Sequence, residues 1–220
     1  VKFLQGINQM IINTISVAPI GTNCYILACE KTGDAIIIDP GGEPEKILKL
    51  IDEQNYNLKY IINTHAHFDH VGAVVDIQKA KDVPFLLHPD DEIYLEPTVF
   101  KESLRNFGFL NVEPPKVDDY INPEKEYGFG ECHFSVLTTP GHSPGGVCFL
   151  FEKEVFVGDT LFSGSIGRTD FPGGSMPILM ESIKTKLMSL KDELIVYCGH
   201  MDSTTIGKER TFNPFREYWN

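Results

Sequence analysis

Three imidazoles and a carboxylate fall within six positions in the run Thr64-His65-Ala66-His67-Phe68-Asp69-His70. Neutral ring nitrogen and anionic oxygen are the donors that bind divalent first-row metals. Four donors this close in sequence do not readily converge on one ion, because the backbone holds some of them apart. The spacing suits two neighbouring ions, with His65 and His67 going to one and Asp69 and His70 to the other. A histidine-rich surface loop would use the same residue types. It would leave unexplained why three of the seven histidines gather between two apolar segments.

Those segments must position the donors. Leu58 to Asn63 is short and rich in β-branched residues, so it predicts a buried strand, and His70 to Ala80 carries one apolar face at helical spacing. The donors therefore lie on a loop that leaves a strand and enters a helix, where α/β proteins favour ligand sites. Side chains two apart in extended chain share a side, so His65 and His67 point together.

Three more donors follow strand-like runs. His142 comes after the strand ending at Leu137, Asp159 after Val155 to Gly158, and His200 after Tyr197 to Gly199. Each has a glycine beside it, which permits a sharp turn and close approach to a bound group. Any one alone would be read as a cap or hydrogen-bonding partner. With the first loop they make seven donors, enough for two ions. The expected division is His65, His67 and His142 on the first, Asp69, His70 and His200 on the second, and Asp159 bridging.

Along the chain, strands are predicted over Ile11 to Val17, Cys24 to Ala28 and Ala35 to Ile38, separated by turn residues as in antiparallel neighbours. A helix over Pro44 to Gln54 follows, with Ile47, Leu48, Leu50 and Ile51 on its apolar face. After the histidine loop come a strand at Pro84 to Leu87 and an irregular region, Asp90 to Pro115, with helix-like spacing. Further strands are expected at Cys132 to Leu137, Val147 to Phe151, Glu154 to Val157 and Leu194 to Cys198. Helices are expected at Pro177 to Leu190, capped by Ser175, and around Thr204 to Arg210. This order predicts two half-units, each a sheet covered by helices, packed sheet against sheet in one α/β (α+β) domain spanning 1–220.

A net charge of −12 disfavours nucleic acid as a partner, since backbone phosphates need clustered Lys and Arg. No apolar stretch is long enough to span a membrane, and the amino terminus lacks the pattern of a signal peptide. Five cysteines without a Cys-x-x-Cys pair point to a reducing, cytoplasmic setting. Cys198 lies two residues before His200, but its apolar neighbours favour core packing. His88 and His133 fall outside the donor pattern and read as structural.

The His-x-His-x-Asp-His loop with three later ligands resembles the metallo-β-lactamase superfamily over nearly the whole chain, including Thr22-Asn23-Cys24-Tyr25, Ile38-Asp39-Pro40-Gly41 and Gly158-Asp159-Thr160-Leu161-Phe162. Within it, Gly164 to Asp170 and the tail from Gly199 to Phe215 resemble the glyoxalase II (hydroxyacylglutathione hydrolase) branch. Only twenty residues follow His200, so the chain is similar to the short members without a helical carboxy-terminal domain. The resemblance implies the four-layer αβ/βα sandwich and a binuclear hydrolase acting on a small-molecule acyl-thiol. Two divalent ions are implied, zinc first, with iron or manganese accepted by the same donors.

Two such ions would share a water and lower its pKa toward about 7, so hydroxide is the expected nucleophile. Asp69 is the candidate catalytic residue, orienting that nucleophile while remaining a ligand. Asp39 either hydrogen-bonds a ligand imidazole from behind or caps its own turn. The resemblance places Arg168 near the thiol moiety as the candidate substrate-binding cation, with Lys208 and Arg210 as alternatives. Persulfide dioxygenases of the superfamily bind a single iron, whereas this chain keeps His70 and His200 for a second ion. Lactonase and phosphodiesterase chemistry use similar ligand sets and stay open. The common zinc β-lactamases carry Cys at the position of Asp159, which disfavours β-lactam hydrolysis.

Overall fold

The computed structural model describes residues 10–105 and 112–219. Eight-residue strands β1 (Met10–Val17) and β2 (Thr22–Cys29) open a six-stranded sheet. It continues through β3 (Asp34–Ile38), β4 (Asn57–Ile62), β5 (Phe85–Leu87) and β6 (Asp119–Tyr120), in that spatial order. The first three strands are antiparallel neighbours; β3 to β6 run parallel. Crossovers are made by α1 (Pro44–Glu53), α2 (Phe68–Val71) with α3 (Val74–Lys81), and a 3-10 helix (Pro89–Leu95) with α4 (Pro97–Arg105).

The second sheet is built from β7 (Tyr127–Phe129), β8 (Cys132–Thr138), β9 (Val147–Leu150) and β10 (Glu154–Gly158). A two-stranded ribbon, β11 (Leu161–Phe162) and β12 (Ser165–Ile166), precedes α5 (Met176–Ser182). Strands β13 (Ile195–Cys198) and β14 (Thr204–Thr205), then α6 (Ile206–Phe212), complete the half. The spatial order is β14-β13-β10-β9-β8-β7, with β10 and β13 parallel.

Period-two alternation explains the layering. In the first sheet Ile26, Ile37 and Ile61 face α1, α3 and α4, whereas Leu27, Ile36, Ile38 and Ile62 face the other sheet. In the second, Val155, Val157 and Val196 face α5 and α6, whereas Phe149 and Phe156 point inward. Both faces of β2 are therefore covered, and all eight of its residues are buried. Phe156 stacks on Tyr197 at 4.8 Å and meets Tyr25 edge-on at 5.0 Å. Truncating it to alanine would cost about 3–5 kcal/mol. The result is the expected four-layer αβ/βα sandwich.

Several predicted elements differ in detail. The single helix expected over His70 to Ala80 is two, because the chain bends at Gly72 and Ala73. The Ala73 amide donates to the Pro40 carbonyl (2.9 Å), and a Cβ on Gly72 would lie 2.4 Å from the Gly41 carbonyl oxygen. The irregular region from Asp90 holds the 3-10 helix and α4; its residues 106–111 lie outside the described ones. Ser175 occupies the N-cap of α5, but its hydroxyl makes no capping bond, and the expected helix passes into a π-helical turn, Ile183–Leu187. The last helix starts after Thr205, whose hydroxyl accepts from the Lys208 amide. No helix among the described residues is long and apolar enough to cross a membrane.

Candidate metal centre

Parallel strands place their carboxyl ends on one edge, and that edge collects the donors. β3 leads into Asp39, β4 into the His65 loop, β8 into His142, β10 into Asp159 and β13 into His200. The halves are stitched together beside them. The Asn23 amide donates to the Gly199 carbonyl (2.7 Å), the Asn23 side chain to Cys198 O (3.1 Å), the Tyr25 hydroxyl to the same oxygen (2.5 Å), and the Val147 amide to Thr64 O (2.9 Å). Gly158 adopts a left-handed φ of 51°, and a Cβ there would lie 2.2 Å from Thr64 Oγ1. Only glycine combines that φ with that approach at low cost.

His65, His67 and His142 form one cluster and Asp69, His70 and His200 another, with one donor atom per residue mutually within 4.8 Å in each. Asp159 sits between them. Its Oδ2 is 3.6 Å from His142 Nε2 and 3.5 Å from His200 Nε2, and its Oδ1 is 3.5 Å from His70 Nε2. Asp69 Oδ2 is 3.3 Å from His70 Nε2 and 3.2 Å from His200 Nε2, and it accepts from the Thr22 hydroxyl at 2.8 Å. A third grouping, Asp39 with His65 and His70, also has donor spacing. There, however, the Asp39 oxygens already accept from the Thr64 amide and hydroxyl, and Oδ2 lies 3.0 Å from His70 Nδ1. Of the two roles open to Asp39, the structure shows it behind the imidazole.

Whether these residues suit metal ions is tested by what they leave unsatisfied. Nε2 of His65, His67 and His70 and Oδ1 of Asp159 are buried without a hydrogen-bond partner. Orphaned buried polar atoms are costly. His70 Nε2 and Asp159 Oδ1 lie 3.5 Å apart, with the His65 ring centroid 4.0 Å from that of His70 and 4.8 Å from that of His67, a grouping that calls for a small electron-poor group. Burial, then the neighbouring histidines, hold His65 well below the usual imidazole range; His67 is lowered by burial and His142, and His142 by burial. Those rings are neutral, the state that ligates. Burial also opposes charge on His70, but the carboxylates of Asp69, Asp159 and Asp39 overcome it and raise the group to about 10. Three acids thus demand positive charge at that point, which a divalent cation supplies as well as a proton does. The donor set fits a dinuclear metal site.

Above the donors lies a cavity of about 650 Å³ walled by Ile20, Phe68, Tyr94, Val99, Phe162, Ile166, Phe171 and Met201, with Glu102 and Arg168 as further lining residues. The Arg168 guanidinium lies 3.9 Å over the Phe171 ring and makes a two-point pair with Asp170 (2.7 and 2.6 Å). Arg210 is spent on the carbonyls of Met188 and Leu190, and Lys208 bonds Ser163; neither lines the cavity. His88 caps the 3-10 helix, His133 is exposed beside Glu126, and Cys198 lies in the core. The sequence pattern includes Thr22 without assigning it a role, and it gives no sign of Tyr94 or Asp91. Asp91 stands in the acidic run Asp90-Asp91-Glu92, where nothing in the letters marks which carboxylate turns inward.

The family model described as the metallo-beta-lactamase superfamily matches residues 17–200. Hydroxyacylglutathione hydrolase GloC of Haemophilus influenzae is 40% identical over 94% of this chain and 98% of its own length. Among solved structures, BLEG-1 B3 metallo-beta-lactamase is 38% identical with a TM-score of 0.87, over 94% of this chain and 99% of that one. TTHA1623 in a di-iron-bound form is also 38% identical, with a TM-score of 0.83 over 92% and 99%.

Proposed function

Because the chain belongs to the metallo-beta-lactamase superfamily, we propose that it is a metal-dependent thioesterase of the hydroxyacylglutathione hydrolase type. The observation that carries the hydrolase reading is the set of unpartnered, buried donor atoms on His65, His67, His70 and Asp159 at the strand ends beneath the cavity. The likeness to GloC supports the choice of a small-molecule acyl-thiol. Zinc is the proposed metal, although the same donors accept iron, and TTHA1623 is described as di-iron-bound.

Two divalent ions in such a donor set acidify a water and polarise a carbonyl oxygen. The protein's own residues prepare that chemistry. His142 donates Nδ1–H to the Arg168 carbonyl (2.7 Å), which fixes the tautomer and leaves the Nε2 lone pair facing the cluster, 2.9 Å from His67 Nδ1 and 3.6 Å from Asp159 Oδ2. Asp69, anchored by Thr22, keeps an acceptor oxygen beside His200, in position to orient an attacking oxygen. The apolar walls exclude bulk water, and Arg168 meets substrate carboxylate at the rim. A thiolate leaves without acid assistance, which suits a site whose neutral imidazoles are occupied as donors.

A second reading, cyclic amide hydrolysis, is favoured by the likeness to BLEG-1. The experiment is a panel of hydroxyacyl-glutathione, lactone, β-lactam, phosphodiester and persulfide substrates on protein of measured metal content. Highest kcat/KM on the thioester, abolished by chelation, supports the proposal. Turnover confined to any other class overturns it. All five cysteines are buried free thiols, which supports a reducing, cytoplasmic location.

A further inference from the structure

Asp91 is fully buried on the 3-10 helix after β5 and belongs to neither donor cluster. Its Oδ2 accepts from the Ala66 amide (3.0 Å) and from the Ser143 hydroxyl (2.8 Å); its Oδ1 accepts from the Gly145 amide (2.5 Å). Ala66 separates His65 from His67, and Ser143 follows His142. One carboxylate therefore clasps the two loops that carry all three histidines of the first cluster. The fit is close: a Cβ on Gly145 would lie 2.7 Å from the Asp91 amide nitrogen and 2.9 Å from Oδ1.

Asp39 reaches the other cluster through His70 and also holds Thr64, beside His65. It makes none of the Asp91 contacts and, among the described residues, no hydrogen bond to the His142 loop. No cationic side chain pairs with Asp91 among the described residues, and burial pushes its carboxyl up to about 6 despite the three donors. An unpaired buried carboxylate is costly as a packing element. Its value lies in what it aligns.

We propose that Asp91 is a positioning residue for the His65, His67 and His142 cluster, whereas the Asp69, His70 and His200 cluster depends on Asp39 and not on Asp91. This rests on the two-cluster metal reading above. The chemistry of the side chain makes it sharp. All three partners are donors, and Asp91 meets them with two acceptor oxygens. Asparagine has one acceptor oxygen, and its amide would face at least one N–H or O–H with another donor.

The test is a zinc titration of chelator-stripped full-length protein, followed by calorimetry, with thermal melts alongside. Wild-type protein is expected to take up two equivalents in two steps. Asp91→Asn should weaken one step about 10–100-fold and leave the other within about twofold. Ser143→Ala, which removes one of the three bonds, should weaken the same step by a smaller factor and decides the matter if Asp91→Asn does not fold. Equal weakening of both steps, tracking the loss in Tm, or no change in either, overturns the proposal. Absence of zinc uptake by the wild type overturns the metal reading itself, which is a separate outcome.

Discussion

His142 Nδ1 lies 2.7 Å from the carbonyl oxygen of Arg168, so the loop that carries the cavity's cation also holds an imidazole of the first donor cluster. The contact uses the Arg168 backbone, not its guanidinium. Removing the side chain therefore separates the two roles. Arg168→Ala should raise KM for a carboxylate-bearing acyl-thiol about tenfold, as for loss of a charge-assisted hydrogen bond, with kcat within twofold. Steady-state kinetics measure this, and a fall in kcat at unchanged KM would place the guanidinium in the chemical step instead.

Asp159 contacts three histidines drawn from both clusters. Asp159→Asn keeps the volume and removes the charge. Metal content by elemental analysis should fall from two ions toward one, and turnover by at least about a hundredfold. Retained turnover with two bound ions would show that Asp159 does not join the clusters.

Gly158 and Thr64 meet across the joint between the sheets. Thr64 cannot swing aside, because its hydroxyl is bonded to Asp39 Oδ2 at 2.6 Å. Gly158→Ala should destabilise the protein by about 3 kcal/mol, from overpacking and left-handed strain together. Combining it with Thr64→Ala should cost less than the sum of the single changes, as urea denaturation would read.

Cys29 provides a pH test remote from the metal donors. Burial works against its thiolate, but hydrogen bonds from Thr32, Glu131 and Lys31 lower it to about 7, below the ordinary 9.0. In the window from pH 7 to 9 the unfolded thiol still holds its proton while the folded one has released it. Stability from this group therefore rises with pH. Above pH 9 Cys132, pushed up to about 12 by burial and by Cys29, works in the opposite sense. Under reducing conditions Cys29→Ser should flatten the rise in Tm between pH 7 and 9; an unchanged profile would refute the assignment.

The sequence displays the parts of this protein whose physics is local. The continuous apolar runs at Ala35 to Ile38 and Val155 to Val157 mark strands buried on both faces, and the apolar face of α1 follows from helical spacing. The seven donors stand out because each follows a strand beside a turn. What stays hidden depends on long-range pairing. The parallel match of Val155 with Val196 joins segments about forty residues apart, and no local pattern encodes it. The break at Gly72 arises from the Pro40 and Gly41 backbone, again a distant contact. Two-residue strands such as β6, β11 and β14 are too short to show any period. Asp91 is hidden for a related reason, since a 3-10 turn through three acids buries one of them only once the loops it holds have arrived.

Each donor cluster takes two residues from the amino-terminal half and one from the carboxy-terminal half: His142 completes one, His200 the other. Neither half owns a whole binding site. Cations seated there would act as rivets through a joint also held by Asn23, Tyr25, Asp91, the Val147 to Thr64 bond and a shared apolar interior. Sequestering them should make the two lobes melt as less strongly coupled units, so resistance to heat or proteolysis becomes a gauge of metal supply as well as of sequence.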